Sequence, residues 1–157
     1  MPPKKFKYRL EKVLEFKVKR EEEEKEKLAK LLEQEAYEKQ VKAQLEQTLR
    51  DVRLTLKTKH LSGSLNMEEL RFYPAHIKNL ENKIKSQELR LRELAIRIIE
   101  QRKALLKAAQ EKKVYEKHKE KCQEEWVAEM DAVEARLIDE LATIKFAREA
   151  REAAEER

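Results

Sequence analysis

The amino-acid sequence predicts an all-α protein: two long helices forming an antiparallel coiled-coil hairpin, with helix 2 longer than helix 1. Three observations predict it. The 157 residues are 44% charged and 6% aromatic, and Ala, Glu, Lys, Leu and Arg dominate, as in long helices and not in compact globules. A single glycine, Gly63, sits in one break, His60-Leu-Ser-Gly-Ser-Leu-Asn66. Beyond that break runs a heptad repeat, which sets the chain apart from disordered sequences of similar charge.

Helix 1 is expected from about Lys7 to Lys59, a stretch without Gly or Pro and rich in good helix formers. Glu21–Lys25, Glu23–Lys27, Glu26–Lys30, Glu35–Lys39 and Glu38–Lys42 are spaced to pair at i, i+4 on a solvated face, each contributing roughly 0.2–0.5 kcal/mol. Its apolar seam runs through Leu10, Val13, Leu14, Leu28, Leu31, Val41, Leu45, Leu49, Val52 and Leu56, and thins between Lys17 and Lys27.

The turn is expected over about 60–66, because Gly and Ser cluster there. Asn66 is a candidate N-cap for helix 2. Pro74 leaves two starts open, one near residue 67 with a bend at the proline and one at Pro74 itself.

Helix 2 is expected to run to about residue 150, leaving a frayed tail over 151–157; the whole chain, 1–157, reads as one hairpin. With Ile77 as a, the a positions are Ile77, Ile84, Leu91, Ile98, Leu105, Lys112, Lys119, Trp126 and Val133. The d positions are Leu80, Gln87, Leu94, Gln101, Ala108, Tyr115, Cys122 and Glu129. A 3.5-residue period kept this long specifies a left-handed coiled-coil seam. After Val133 the apolar spacing shifts to Leu137, Leu141 and Ile144.

One short turn between two long seams gives an αα-hairpin. Charge agrees: residues 1–20 carry eight basic and two acidic side chains, and residues 120–157 six basic and twelve acidic. Antiparallel pairing brings a basic start near an acidic end. Folding about Gly63 sets Lys7 opposite residue 119 or 120. Helix 2 then runs on for about 30 residues, some 45 Å at 1.5 Å per residue. That extension carries Trp126, Val127, Val133, Leu137, Ile138, Leu141, Ile144 and Phe146, an apolar surface with no internal partner.

The composition also excludes functions. One glycine cannot build a phosphate-cradling loop. His60, His76 and His118 are far apart, with His118 at a solvated position, and Cys122 is alone, so no catalytic or metal-binding pattern and no disulfide framework is readable. The expectation is a non-catalytic chain without cofactor, in a reducing, cytoplasmic setting. A net charge of +5 is too balanced for nucleic-acid binding, and no apolar run is long enough for direct membrane insertion.

Several segments together resemble the FliJ family of the bacterial flagellar type III export apparatus. The opening Phe6-Lys-Tyr8-Arg-Leu10-Glu-Lys-Val13-Leu14-Glu-Phe16-Lys17 is similar to that family's start. So are the Ala108–Lys121 stretch of Ala followed by Glu/Lys repeats, and Asp139-Glu140-x-Ala142. The resemblance implies a stalk-like coiled coil, cytoplasmic and peripheral to the inner membrane at the flagellar base, modulating a partner ATPase. Its implied partners are the hexameric export ATPase (FliI-like), the cytoplasmic domain of the export-gate protein (FlhA-like) and export chaperones. The implied ring-binding residues are Phe6, Tyr8, Leu10, Val13, Leu14, Trp126, Val133, Leu137, Leu141 and Ile144. The implied gate-binding residues are Leu45, Leu49, Tyr73, His76, Leu80 and Gln87. Here Tyr73 and Leu80 match the family's residue types, His76 and Gln87 match only in position, and tyrosines expected on helix 1 are missing. An injectisome stalk and a generic coiled-coil adaptor or spacer are the alternative readings.

Overall fold

The computed structural model describes residues 5–157; residues 1–4 of the expected hairpin lie outside the described part. Two helices account for the architecture: α1, Glu11–Ser62, and α2, Met67–Glu155. Helix 2 is the longer, at 89 residues against 52. The described chain divides into two compact units, residues 20–109 and a second made of residues 5–19 with 110–157.

The unit of residues 20–109 contains the turn. Here α1 ends in a Schellman motif: Gly63 N–H donates to the His60 carbonyl at 3.3 Å and Ser64 N–H to the Lys59 carbonyl at 3.1 Å. Gly63 takes φ +67°, the left-handed conformation that glycine adopts without steric cost. Three residues later Asn66 caps α2. Its Oδ1 accepts from Glu69 N–H at 2.8 Å and its carbonyl from Leu70 N–H at 3.1 Å. That cap fixes the start of α2 at Met67, so Pro74 lies inside the helix and does not begin it. Lys59 and Glu69 close the corner with a 3.0 Å ion pair.

Behind the turn, Leu49, Leu80 and Ile84 form a buried cluster, with Leu45, Val52 and Ile77 packed against it. The heptad register expected on α2 holds: Leu80, Ile84, Gln87, Leu94, Ile98 and Ala108 are its buried residues.

The facing register on α1 places glutamates where an apolar seam would be expected. Glu21 is buried, and Glu24, Glu35 and Glu38 are half-buried at the same heptad spacing as Leu28, Leu31 and Leu45. A carboxylate at a seam is costly unless it is hydrogen-bonded. Two glutamines supply the bonds. Gln87 Nε2 donates to the Glu38 carbonyl at 3.0 Å and also to the Glu38 side chain. Gln101 Nε2 donates to the Glu24 carbonyl at 3.1 Å and also to the Glu24 side chain. The thin stretch of helix 1 is thus a polar continuation of the seam.

These clasps alter the expected charge pairing. Lys25–Glu21 closes at 2.7 Å and Lys39–Glu35 at 3.0 Å, as the spacing predicts. Lys27 turns instead to Glu24, at 3.5 Å. With Glu38 engaged by Gln87, Lys42 lies between Glu46 and Glu88, at 3.7 and 3.6 Å.

In the second unit, α1 begins at Glu11, four residues later than expected, and Phe6–Leu10 form a non-helical arm. The arm closes onto α1 through Glu11 N–H donating to the Tyr8 carbonyl at 3.3 Å. Leu14 is buried, and Lys17–Glu111 (3.1 Å) and Lys119–Glu11 (2.8 Å) cross between the segments. The second pair reverses the expected polarity, with its cation on α2. Helix α2 continues to Glu155, so most of the expected frayed tail is helical.

Candidate partner-binding surfaces

Exposed apolar side chains are the kind of surface that suits contact with another protein, and the end of α2 concentrates them. Val133, Leu137, Ile138, Leu141, Ile144 and Phe146 are 37% to 73% exposed, and every residue after Met130 is exposed. From Val127 to Glu155 this amounts to about 43 Å of helix at 1.5 Å per residue.

The heptad gives way here to an eleven-residue period. Trp126 and Leu137, Met130 and Leu141, and Val133 and Ile144 are each eleven residues apart. Eleven residues make three turns at about 3.67 per turn, close to an unsupercoiled helix, so these side chains stay on one face. Val127 and Ile138 lie about 100° around the helix, and Phe146 nearly opposite, at 100° per residue. The extension therefore offers apolar contact on several faces.

Trp126 is not part of the unpartnered stretch, contrary to the expectation from chain length. Phe6 packs on it with ring centroids 6.1 Å apart and planes at 56°. Tyr8 is buried, and its hydroxyl lies 2.6 Å from His118 Nδ1 and 3.5 Å from the Tyr115 carbonyl. His118, expected to be solvated, therefore carries a hydrogen bond. Burial, with smaller contributions from Cys122, Tyr115 and Glu11, raises the Tyr8 pKa above the ordinary phenol value, so the hydroxyl stays protonated and available as a donor. The missed signal was spacing. Phe6 and Tyr8, two residues apart, would diverge by about 200° on a helix, whereas both reach α2 from the non-helical arm.

Among the residues assigned to ring binding, Phe6, Tyr8 and Trp126 come together in this arm contact. Leu14 is buried, and Leu10 and Val13 are half-buried. Val133, Leu137, Leu141 and Ile144 stand open on the extension.

The residues assigned to gate binding divide in the same way. Leu49, Leu80 and Gln87 are buried in the seam and Leu45 packs against it. Tyr73 and His76 are half-buried at the surface. Lys59 Nζ lies over the Tyr73 ring, 5.6 Å from its centroid. His76 stacks on Phe72, with centroids 5.2 Å apart and planes at 15°, and Phe72 meets Tyr73 edge-on at 5.6 Å. Phe72, 59% exposed, is the aromatic residue that sequence reasoning overlooked, because it lies off the seam.

Among the described residues, no three His, Cys, Asp or Glu side chains gather as a metal site, and no helix is long and apolar enough to cross a membrane. Against this geometry, the family model described as "Flagellar FliJ protein" matches residues 6–151. No curated protein and no solved structure matches the chain.

Proposed function

Since the chain belongs to the FliJ family, non-enzymatic components of the flagellar export apparatus, we propose that it acts there as a stalk, with its α2 extension held by the hexameric export ATPase and its turn-proximal end directed to the export gate. The observation that supports this reading is the extension beyond Met130, which carries apolar side chains on several faces and meets no partner among the described residues. A helix surrounded by a ring needs contacts on more than one side, whereas a helix docked in a single groove needs one stripe.

The mechanism follows from symmetry. One helix inside six identical subunits cannot contact all of them equally. It therefore binds some subunit conformations better than others. A partner shifts an equilibrium only through such differential affinity, and reciprocity means that the ring's nucleotide state also shifts the stalk's binding. The chain contributes contact surface and no catalytic group. It modulates hydrolysis by the ring, at the flagellar base and without entering the bilayer. The cytoplasmic domain of the gate protein and export chaperones are the further partners of this reading, with the half-buried Tyr73 and His76 as the part of the gate surface that reaches solvent.

The experiment mixes the purified chain with the export ATPase and follows complex formation by sizing and hydrolysis by phosphate release. The reading expects a complex and a changed hydrolysis rate. A Leu137→Asp, Leu141→Asp, Ile144→Asp variant is expected to lose both while keeping its helical circular dichroism. No complex with the intact chain would overturn the reading.

A further inference from the structure

Beside the turn, within the unit of residues 20–109, lies an open notch of about 380 Å³ lined on α1 by Arg53, Leu56, Lys57 and His60, which share one helix face, and beyond them by Leu65 of the turn and Leu70 and Pro74 of α2. It uses none of the residues assigned above to the ring or the gate. The two sides differ in chemistry. Leu65 and Leu56 are half-buried and recessed, while Leu70 is 49% exposed at the edge. The α1 wall carries the basic groups, with Leu56 among them. Arg53 is engaged with Glu81 at 2.6 Å, but Lys57 makes no ion pair among the described residues.

The backbone adds a third feature. Pro74 has no N–H, so it cannot donate to the Leu70 carbonyl one turn earlier, as any other residue in the helix would. The helix thus lacks one backbone hydrogen bond beside the notch.

We propose that this notch is a docking site for a short acidic segment of a partner protein, one that inserts a single bulky apolar side chain between Leu56, Leu65 and Leu70 and sets a carboxylate on Lys57. Charge selects the occupant. The basic wall with its uncommitted lysine favours a carboxylate-bearing ligand, and complementary charge governs the rate and specificity of such encounters. Shape argues for a peptide over an anionic membrane surface, because Leu56 and Leu65 are half-buried in a concavity instead of projecting as they would into a bilayer. A second copy of the chain would need an acidic segment with a projecting apolar side chain, and sizing distinguishes that case.

The test uses the full chain and a fluorescein-labelled peptide, Glu-Asp-Leu-Phe-Asp-Glu, read by fluorescence anisotropy. The expected result is saturable binding that weakens as salt rises. Lys57→Glu and Leu70→Asp should each weaken it by about tenfold or more, while Leu54→Asp, a change at an exposed leucine outside the notch, leaves it unchanged. Helical circular dichroism confirms that each variant is folded. The proposal is overturned by no binding up to about 1 mM peptide; by equal loss in Leu54→Asp; by equal binding of a peptide with Leu and Phe replaced by Ser; or by binding to phosphatidylglycerol vesicles, but not to the peptide, that depends on Lys57. Concentration-dependent dimerisation abolished by Lys57→Glu, with no peptide binding, overturns it in favour of a second copy.

Discussion

Gln101 closes on Glu24 through both the side chain and the backbone carbonyl of the glutamate, and Gln87 does the same to Glu38. Each clasp joins α2 to α1, and the two are fourteen residues apart on both helices, two full heptads. Polar layers of this kind fix register at a cost in stability, as single polar seam residues do in other coiled coils. They leave one alignment in which both glutamates are satisfied.

Removing one glutamine should therefore cost more than removing the pair. Gln101→Leu leaves the Glu24 carboxylate against an apolar neighbour and should lower the melting temperature, by a few degrees for a chain of this size. Glu24→Leu combined with Gln101→Leu should recover that loss or exceed the parent, because it creates an apolar layer. Thermal melts followed at 222 nm on the singles and the double check this.

The same clasp predicts acid sensitivity. The hydrogen bond from Gln101, aided by Lys27, holds the Glu24 pKa below the usual carboxylate value against the opposing effect of burial. A depressed folded-state pKa stabilises the fold fully above the ordinary glutamate range near pH 4.3. That contribution is lost as pH falls through the lower, folded-state value. Melting temperature should decline below about pH 4.3, and Glu24→Gln should flatten the decline. An equally steep decline in the variant would show that other carboxylates carry it.

The arm contact can be read from the one tryptophan in the chain. Phe6→Ala or Tyr8→Ala should release residues 6–10 from α2 and shift Trp126 emission to the red as water replaces the Phe6 ring. Because the arm is non-helical, helical circular dichroism should hardly change. Tyr8→Phe keeps the ring stacked near His118, 5.5 Å between centroids, and loses only the hydroxyl, so its effect should be the smallest of the three.

The corner gives a backbone test. Gly63 has φ +67° and an added Cβ would meet nothing within 4 Å. Gly63→Ala should therefore cost only the left-handed conformation, about 1–2 kcal/mol, and Gly63→Asn less. Asn66→Ala should cost about 1 kcal/mol through loss of the cap on Glu69 N–H. Denaturant titration of the three variants separates these effects.

Much of the fold was legible because aliphatic residues announce a heptad directly. Ile77, Leu80, Ile84, Leu94 and Ile98 gave the α2 register, and Gly63 and Asn66 marked the corner. The seam of α1 was only half visible. Glu21, Glu24, Glu35 and Glu38 keep its period but look like solvated charge until Gln87 and Gln101 are seen opposite them. The late start of α1 was hidden because Lys7–Leu10 have no helix breaker; only the i, i+2 spacing of Phe6 and Tyr8 hinted at a non-helical arm. Among the candidate site residues, Leu49, Leu80 and Gln87 carried a double reading, since a side chain suited to a partner is also suited to the chain's own seam. The extension was legible because Leu137, Leu141 and Ile144 lie beyond the reach of a shorter helix 1. Trp126 was assigned to it only because the arm's route could not be read from the sequence.

Hydrogen–deuterium exchange of the chain, alone and with the export ATPase hexamer, bears most directly on the stalk reading. New protection concentrated in residues 131–155, with little change over 24–101, is the predicted result. No new protection in 131–155 despite a stable complex would contradict it.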